Sequence, residues 1–473
     1  MSLKIKRALI SVTDKDGLDS FAHALAERGV SIIASGGTAK RIEKTGVQVT
    51  RISDITDFPE IMDGRVKTLH PKIHGGILAD RSKKEHLDKA QELGIEMIDL
   101  IVVNLYRFRE ASNDPSLGER DVIEQIDIGG PTLIRSAAKN YHSVAVVVDP
   151  ADYGSVIEEM DSGDGVIGED TRRQLASKAF HHTGFYDAAI SSYFDTLLTP
   201  AGEIPDEIIG AARKVRSLRY GENPHLGAAL FEQDGARIFA GLEQLQGKEL
   251  SFNNIQDMYA AFLLAKDLGK KGCAIIKHTN PCGAAVCGTV AESYRRARKT
   301  DPVSAFGSVV AINGTVRKET AAMCGETFIE VVVAREFGPE ALDLLKKKKN
   351  LRLVVIPQEQ WDMEMKGWVG RQLGDLLLMQ EKDEGFPELD DWKIATSRVP
   401  TDEEEEALRV AWKTVKHIRS NAIVICDRDG TVGVGAGQMS RVDSCRIAVD
   451  KARRESMEIR GCSAASDAFF PFP

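Results

Sequence analysis

The chain has 473 residues, 42% of them hydrophobic, and a formal net charge of −9 at neutral pH. This length predicts two or more domains, and the acidic balance argues against a general binder of nucleic acid or of membrane surfaces. No apolar run reaches the length of a membrane-spanning helix, no signal peptide is recognisable, and the seven scattered cysteines are typical of reduced thiols, so we expect a cytoplasmic protein.

The first part of the sequence alternates strand patterns with helix patterns, which predicts a parallel sheet covered by helices. The predicted strands are residues 8–12, 30–34, 98–104 and 143–148. A long helix is predicted from Thr171 to Phe194, and residues 199–205 have the composition of a linker. We therefore place a domain boundary near residue 200, giving domains 1–200 and 201–473.

A candidate phosphate site lies at Ser35-Gly36-Gly37-Thr38, which follows a predicted strand and precedes a helix predicted from about Thr38. Backbone N–H groups and the helix dipole favour an anion at such a turn, although the four residues fit an ordinary turn equally well. Arg65, Lys67 and Thr68 cluster in a following loop. Arginine suits two-pronged phosphate contacts and lysine supplies a point charge.

His70 and His74 are four residues apart, a spacing that two metal ligands share on a helix. Pro71 is expected to disturb a helix there, and no glutamate completes a His-Glu-x-x-His motif. We therefore expect no metal site at these histidines.

In the second part, strands are predicted at residues 274–276, 308–312, 353–356 and 422–426, mixed with helices. Lys277 and His278 stand where the first of these strands opens into a loop marked by Asn280-Pro281 and Cys282-Gly283. Histidine exchanges a proton near neutral pH, and lysine stabilises developing negative charge. Taken alone, the two residues fit the simple capping of a strand end better than catalysis.

Several longer motifs change that interpretation, because they occur in one order along the chain. They are residues 64–71 (Gly-Arg-Val-Lys-Thr-Leu-His-Pro), 125–130 (Gln-Ile-Asp-Ile-Gly-Gly), 219–225 (Arg-Tyr-Gly-Glu-Asn-Pro-His), 277–283 (Lys-His-Thr-Asn-Pro-Cys-Gly), 304–307 (Ser-Ala-Phe-Gly) and 435–441 (Gly-Ala-Gly-Gln-Met-Ser-Arg). This set resembles the family of bifunctional purine biosynthesis proteins, which join a formyltransferase to an inosine monophosphate cyclohydrolase. The resemblance runs from Ser11 to Phe472.

The resemblance implies an α/β protein with a methylglyoxal-synthase-like parallel-sheet domain followed by two cytidine-deaminase-like subdomains. For ring closure it implies catalytic roles for Lys67, Tyr106, Asp127 and Lys139. Asp127 and Lys139 would divide the proton transfer and charge stabilisation, although Asp127 also fits an N-cap, with a strand end before a helix from Thr132 to Lys139. Its implied nucleotide-binding residues are Ser11, Lys15, Ser35, Gly36, Gly37, Thr38, Arg65, Thr68, Gly129 and Gly130. Arg107 stands where the family has proline.

For formyl transfer the resemblance implies His278 as the base and Lys277 as the charge-stabilising residue, with Asn421 beside them. The implied nucleotide-binding residues are Arg219, Tyr220, Asn254 and Arg441, and the implied folate-binding residues are Phe306, Glu330, Phe469 and Phe472. Leu226, Ser308 and Arg335 depart from the family pattern outside these positions. The implied co-substrate is 10-formyltetrahydrofolate, without a catalytic metal, and the implied assembly is a homodimer.

In the family the segment matching Ser466–Pro473 is followed by a tail that helps to complete the transferase pocket. We therefore expect weak formyl transfer from this chain, with cyclisation intact. The alternatives are a cyclohydrolase without transferase activity and a nucleotide-binding regulatory module. A zinc deaminase is disfavoured because His-x-Glu is absent, and an oxidoreductase because residues 433–437 do not have Gly-x-Gly-x-x-Gly spacing.

Overall fold

A computed structural model describes residues 3–200, 203–233, 239, 242–365, 367–383, 385–386 and 392–470. The chain forms two compact units, Met1–Ala211 and Ala212–Pro473, and each unit has hydrophobic clusters of its own. None of the helices in the described ranges is both long enough and apolar enough to cross a membrane.

The N-terminal unit is built on a five-stranded, all-parallel sheet with the strand order β4-β3-β2-β5-β6. Short strands β1 and β7 pair separately. In chain order the elements are β1 Leu3–Lys4, β2 Arg7–Ser11, α1 Leu18–Glu27, β3 Ser31–Ala34, α2 Gly36–Glu43, β4 Val49–Arg51, α3 Ile52–Thr56, a 3-10 turn Met62–Gly64, α4 Pro71–Leu78, α5 Lys84–Glu92, β5 Leu100–Val103, α6 Phe108–Ser112, α7 Glu119–Ile123, α8 Gly129–Lys139, β6 Ala145–Val147, a 3-10 turn Pro150–Asp152, α9 Tyr153–Ser162, β7 Val166–Ile167 and α10 Glu169–Leu198.

Both faces of this sheet are buried, as is usual for parallel strands covered by helices. Leu9, Ile101 and Val146 belong to the hydrophobic cluster on one face. Ile10 and Val102, their neighbours along two of these strands, belong to the cluster on the other face. The predicted strand–helix alternation is therefore confirmed.

Three local predictions in this unit were wrong. The strand end expected at Asp127 is absent, and the helix expected from Thr132 begins three residues earlier, at Gly129. Helix α2 begins at Gly36 rather than near Thr38. Pro71 opens α4 instead of disturbing it, since proline fits the first helical position, where no N–H acceptor is needed.

The C-terminal unit contains a nine-stranded mixed sheet with the order β10-β15-β14-β13-β11-β12-β19-β18-β20, and two separate two-stranded sheets, β8-β9 and β16-β17. Its elements are β8 Ala212–Leu218, β9 Ala228–Gln233, β10 Glu243–Gln246, α11 Phe252–Leu268, β11 Cys273–Lys277, β12 Asn280–Ala285, α12 Val290–Thr300, β13 Ser308–Val316, α13 Lys318–Gly325, β14 Ile329–Phe337, α14 Pro339–Leu345, β15 Arg352–Val355, α15 Gln358–Asp362, β16 Trp368–Leu373, β17 Leu376–Glu381, α16 Asp402–Val415, β18 Ile423–Asp427, β19 Gly430–Gly435, α17 Arg441–Arg454 and β20 Ser463–Ser466.

The large sheet contains two α-β-β-α motifs, α11-β11-β12-α12 and α16-β18-β19-α17. They meet where Ala285 of β12 pairs with Gly430 of β19. A Cβ at Gly430 would lie 2.6 Å from the carbonyl oxygen of Ala284, so glycine permits this close approach. The two expected subdomains thus share one continuous sheet.

The loop expected at Asn280–Gly283 is instead the first part of strand β12. Only His278 and Thr279 separate β11 from β12, because two residues with positive φ close a tight hairpin. The sequence misled here because Asn-Pro and Cys-Gly usually mark turns, whereas the turn lies just before them.

Candidate active sites

The first candidate site lies at the carboxyl edge of the parallel sheet. The chain leaves β2, adds β3 and β4 on one side, and returns to place β5 on the other side of β2. Ligands of open α/β sheets bind at such a switch point, outside the carboxyl ends of the strands. The segments that follow β2, β3 and β5 carry many of the residues implied for the nucleotide, including Ser11, Lys15, Ser35 and Gly36.

Asn104 connects the loops after β2 and β5. Its buried side chain accepts hydrogen bonds at Oδ1 from the N–H of Thr13 (2.7 Å) and of Asp14 (2.9 Å), and donates from Nδ2 to the Asp14 carbonyl (2.9 Å). The asparagine therefore fixes the loop that carries Lys15. Asn104 has no role among the residues predicted from the sequence, although an asparagine directly after a buried strand at this edge is a usable signal.

The N-terminus of α2 has the features of a phosphate site. Thr38 uses its hydroxyl to accept from the N–H of Val12 and to donate to its carbonyl, both at 3.1 Å, which fixes the helix to the end of β2. Ser35 is the N-cap, and its buried Oγ has no hydrogen-bond partner within the ranges that the structure describes. Buried hydroxyls rarely lack a partner, so this oxygen is suited to a bound ligand. Gly36 has a positive φ of 53°.

Lys67 and Thr68 lie between the N-termini of α2 and α8. Lys67 Nζ is 3.9 Å from the position that a Cβ would take at Gly36, and a Cβ at Gly129 would lie only 2.6 Å from Thr68 Oγ1. Arg65 is more exposed and pairs with Glu124. The structure thus brings Lys67 and Thr68 to the glycines expected around the nucleotide.

Asp127 occupies the start of α8, where its Oδ1 accepts the N–H of Gly130 at 2.8 Å. Burial raises the pKa of Asp127, and the Gly130 N–H, the charge of Lys67 and the backbone N–H of Tyr106 oppose this rise only in part. The same contacts place Lys67 and the Tyr106 backbone beside the carboxylate. The Tyr106 side chain is about one-third exposed, at 36%.

Tyr186 of α10 holds the segment before α8 in place. Its hydroxyl accepts the N–H of Asp127 at 2.8 Å and donates to the carbonyl of Gln125 at 2.9 Å. Burial raises the pKa of Tyr186 to about 12, so the hydroxyl keeps its proton. Nothing in the sequence marked this tyrosine, because its contacts join positions far apart in the chain.

Lys139 is not brought to Asp127. It is the last of the eleven residues of α8, whose first residue is Gly129, and a helix of that length separates its ends by about 15 Å. Lys139 instead lines a cavity of about 740 Å³ together with His86, His142 and Glu169. The charge that acts on Asp127 is that of Lys67, and the division of catalytic tasks between Asp127 and Lys139 stays a prediction.

His70 and His74 have different surroundings. His70 caps α4 by accepting the N–H of Lys72 at Nδ1 (3.1 Å), whereas His74 Nδ1 lies 3.3 Å from Ser136 Oγ. Burial lowers the pKa of His74, although a hydrogen bond to the Thr68 backbone opposes this effect. Among the described residues, no three or more His, Cys, Asp or Glu side chains come together in a group that could hold a metal ion.

The second candidate site surrounds the β11–β12 hairpin. Its two turn residues, His278 and Thr279, have φ values of 52° and 61°. Asp257 of α11 accepts the His278 N–H at Oδ2 (3.1 Å) and the Thr279 N–H at Oδ1 (2.7 Å). The His278 side chain is exposed at the tip of the hairpin.

Lys277 is the last residue of β11, and its Nζ donates to the carbonyl of Phe306 at 2.7 Å. The ring of Phe306 is 58% exposed and lies 5.4 Å from the ring of Phe328. Lys277 and Phe306, assigned to one site by resemblance, are therefore neighbours. The chain turns immediately after Lys277, and such a turn is needed if Lys277 and His278 are to act on the same substrate.

The second α-β-β-α motif also reaches this turn. Arg419 donates from its backbone N–H to Asn280 Oδ1 (3.2 Å) and from Nε to Thr279 Oγ1 (3.1 Å). Asn421, two residues further on, accepts from Arg441 Nη2 at 2.8 Å. The expected residues Asn421 and Arg441 are therefore in contact, and the loop that carries Asn421 touches the turn of His278.

Arg441 is largely buried rather than a member of a surface ion pair. Besides Asn421 it donates to Ser466 Oγ at 2.6 Å and forms an ion pair with Asp467. Burial alone would raise the pKa of Asp467, but the hydrogen bonds from Arg441 and its neighbours hold the pKa below the usual value. Arg441 thus joins α17 to β20.

Two other expected residues, Asn254 and Glu330, have polar side chains that are bonded to other groups of the protein. Asn254 forms a capping box with Ser251, accepting its N–H at 3.1 Å, and Glu330 pairs with Arg352 at 2.7 Å. The guanidinium of Arg219 lies 5.5 Å from the centre of the Tyr220 ring. Phe469 is 81% exposed, and Phe472 lies outside the described residues.

Comparisons with known proteins agree over nearly the whole chain. Residues 137–451 match the family model described as AICARFT/IMPCHase bienzyme, and residues 17–132 match that of an MGS-like domain. Proteins named bifunctional purine biosynthesis protein PurH from Bacillus cereus (strain B4264), Bacillus mycoides (strain KBAB4) and Bacillus anthracis (strain A0248) are each 47% identical over 470 residues, covering 99% of this chain and 90% of the relative.

A solved structure titled "Crystal structure of ForH" is 36% identical, covers 40% of this chain and 96% of its own, and superimposes with a TM-score of 0.38. The family model spans more than half of the chain, and the Bacillus relatives span almost all of it. The chain therefore belongs to the AICARFT/IMPCHase bienzymes, the family of bifunctional purine biosynthesis proteins.

Proposed function

We propose that this chain carries out the last two steps of de novo purine synthesis, with one step in each unit. The C-terminal unit transfers a formyl group from 10-formyltetrahydrofolate to 5-aminoimidazole-4-carboxamide ribonucleotide. The N-terminal unit then closes the ring, with loss of water, to inosine monophosphate. Family membership supports the pair of reactions. The division between units rests on one observation: the Asp127–Lys67 cluster and the Lys277–His278 turn lie in separate units, each at the end of its own sheet strands.

Ring closure requires a carboxamide nitrogen to lose a proton as it attacks the formyl carbon. Asp127 is suited to accept that proton and to return it to the former formyl oxygen, because burial raises its pKa. This oxygen leaves as water when the formylamino nitrogen gives up its own proton and forms the ring C=N bond. Lys67, beside it, stabilises the negative charge that develops on the formyl oxygen. Ser35 Oγ, which has no hydrogen-bond partner among the described residues, and the N-terminus of α2 supply the phosphate contacts.

Formyl transfer starts from an aromatic amine, a poor nucleophile whose lone pair is delocalised into the ring. His278, exposed at the hairpin tip, takes the proton of this amine as it attacks the formyl carbon. Lys277 stabilises the formyl oxygen, or protonates the departing folate nitrogen, from the place where Phe306 holds it. The exposed Phe306 ring offers a flat surface for the ligand rings.

The assembly we propose is a cytoplasmic homodimer. Hairpin β16–β17 exposes leucines that a monomer normally keeps covered, with Leu376 at 73%, Leu378 at 56% and Leu377 at 52% exposure. Leu376 and Leu378 lie on one face of β17, since alternate residues of a strand share a face, and exposed apolar side chains of this kind are typical of association sites. A second copy of the chain is the partner that the family implies.

The function is tested by two absorbance assays on the full chain, one with amine nucleotide plus formylfolate and one with formylated nucleotide. His278→Ala should lower transfer by about 10²-fold or more, as loss of a general base commonly does. The substitution should leave cyclisation unchanged, because the residues proposed for ring closure lie in the N-terminal unit. If the His278→Ala chain transfers formyl groups at the normal rate, His278 is not the base and has only a structural role in the turn.

A further inference from the structure

We propose that Asp257 is a positioning residue for formyl transfer, acting by holding the His278 turn in its left-handed conformation. The inference rests on the proposed transferase function of His278. Asp257 lies on α11, 21 residues before His278, and its two carboxylate oxygens each accept one of the turn's two N–H groups. No other residue of α11 is recorded as bonding to these N–H groups within the described part of the chain.

The turn needs such support because its residues are poorly suited to it. Two-residue hairpin loops with positive φ at both positions favour Asn-Gly or similar pairs, since a Cβ is disfavoured in this region. Here the residues are His278 and the β-branched Thr279, at φ 52° and 61°. Strained backbone persists only where its surroundings hold it, and it concentrates at functional sites.

The second α-β-β-α motif provides an internal comparison. Its hairpin β18–β19 also has a turn of two residues, Arg428 and Asp429. Its strand pairing shifts between Ile425 and Cys426, the positions that match Ile275 and Ile276 of β11. Neither turn residue has a positive φ, and the turn is capped locally by Asp427, which accepts the N–H of Asp429 at 3.0 Å. The strained turn is therefore confined to the hairpin that carries the proposed base.

The helices that precede the two hairpins differ at the matching position. Helices α11 and α16 both begin with a capping box, at Ser251 and Thr401. Counted from these caps, the position of Asp257 in α11 corresponds to Ala407 in α16, which is buried and has no polar side chain. A carboxylate anchor on the preceding helix and a left-handed turn thus occur together in the first motif, whereas the second motif has Ala407 at the matching helix position and a turn held by its own Asp427.

The anchor fixes the turn from one side and Arg419 fixes it from the other, through Thr279 Oγ1 and Asn280 Oδ1. With both contacts the backbone of His278 has one conformation, so its imidazole starts from a defined position. A displacement of about 1 Å in a catalytic group costs on the order of 10²-fold in rate. Asp257 touches neither reacting atom in this scheme and acts only through His278.

The principal variant is Asp257→Asn, which keeps the shape but replaces one acceptor by an N–H₂ donor that faces a turn N–H. We expect kcat for formyl transfer to fall by about 10- to 100-fold while KM for the amine nucleotide changes by less than about threefold, because the substrate contacts remain. Cyclisation by the same chain should be unchanged. Hydrogen exchange at His278 and Thr279 should accelerate, a readout that requires no activity.

A double-mutant cycle separates positioning from general damage. If Asp257 acts through His278, Asp257→Asn should have no further effect on transfer in a His278→Ala chain, because the group it positions is gone. If the double variant instead loses transfer rate by the product of the two single-variant factors, the proposal is overturned. Normal transfer by His278→Ala alone would instead contradict the proposed function.

Rescue and control variants complete the test. Thr279→Asn keeps a side-chain oxygen for Arg419 in a residue type that tolerates positive φ, and it should restore part of the transfer rate to the Asp257→Asn chain. Asp427→Asn makes the same chemical change at the matching hairpin and should keep transfer within about twofold of the unmodified chain. Unchanged transfer and unchanged amide exchange in Asp257→Asn would refute the positioning role.

Discussion

The Asp127 carboxylate accepts the N–H of Gly130 at 2.8 Å, so the residue proposed to move protons during ring closure also caps α8. Capping and catalysis are therefore not competing interpretations of this side chain. A Cβ at Gly130 would lie 2.6 Å from Asp127 Oδ2, which explains why glycine follows at this position. Besides this hydrogen bond, the charge of Lys67 and the backbone N–H of Tyr106 act on the carboxylate.

Replacement of Asp127 by asparagine should separate these two roles. Asparagine caps helices about as well as aspartate, so the chain should stay folded, whereas cyclisation should fall by about 10²- to 10⁴-fold without the proton acceptor. The measurement is the absorbance change on ring closure, beside a thermal unfolding curve. Asp127→Ala, which also loses the cap, should unfold at a lower temperature than Asp127→Asn. Cyclisation at the normal rate in Asp127→Asn would show that another group moves the proton.

The stability of the N-terminal unit should carry the pH signature of Asp127. Its folded-state pKa is raised by burial, so its favourable contribution is complete below the unfolded pKa and is lost as pH rises through the folded pKa. The neutral Asp127→Asn side chain avoids this loss. Thermal unfolding at pH 7 should show the variant at least as stable as the unmodified chain, and the difference should disappear below the usual aspartate range. A variant that is less stable at pH 7 and equally stable in acid would contradict the raised pKa.

Lys67 and Lys139 should differ in their effect on the ionisation of Asp127. The charge of Lys67 favours the carboxylate, so Lys67→Ala should raise the pKa of Asp127 further and move the acidic limb of the cyclisation rate to higher pH. Lys139→Ala should leave that limb in place whatever it does to the rate, because α8 separates it from Asp127. A pH–rate profile of each variant measures this. A shift caused by Lys139→Ala alone would show that Lys139 approaches Asp127.

Arg441 should stabilise the C-terminal unit chiefly by neutralising Asp467. Removing one member of a buried ion pair typically costs about 3–5 kcal/mol; this pair is only partly buried, so Arg441→Ala should lose less than that but still unfold at lower denaturant concentration. The matched control, Arg441→Ala with Asp467→Asn, should recover part of the loss because no unpaired charge remains. The lowered pKa of Asp467 means that its contribution is present above its unfolded pKa and lost as pH falls through the folded pKa. Equal stability of both variants at neutral pH would argue against this account.

The leucine-rich hairpin should form part of the subunit interface. Leu376→Glu with Leu378→Glu places two like charges on its apolar surface and should shift the chain from dimer to monomer in sedimentation velocity at micromolar concentration. Gln380→Glu, an exposed change on the same strand, should leave the dimer intact. A double variant that sediments as the unmodified chain does would remove this hairpin from the proposed interface.

The sequence predicted the first site better than the second because of where its residues lie. Ser11, Ser35 and Asn104 follow parallel strands, and the ends of such strands meet at one edge. Lys139 ends α8, about 15 Å from the first residue of that helix, so its separation from Asp127 follows from the length of the helix rather than from any motif. Asp257 offered no signal: a lone carboxylate on a helix is indistinguishable from a solvated side chain until the fold brings the turn to it.

Identifying the accumulated product tests the division of the two reactions between the two units most directly. The full chain is supplied with formylfolate and the amine nucleotide, and the nucleotides are separated and quantified over time. We predict that Asp127→Asn accumulates the formylated nucleotide, while His278→Ala forms none but cyclises formylated nucleotide that is supplied to it. Loss of formylation in Asp127→Asn, or loss of cyclisation in His278→Ala, would contradict the assignment of one reaction to each unit.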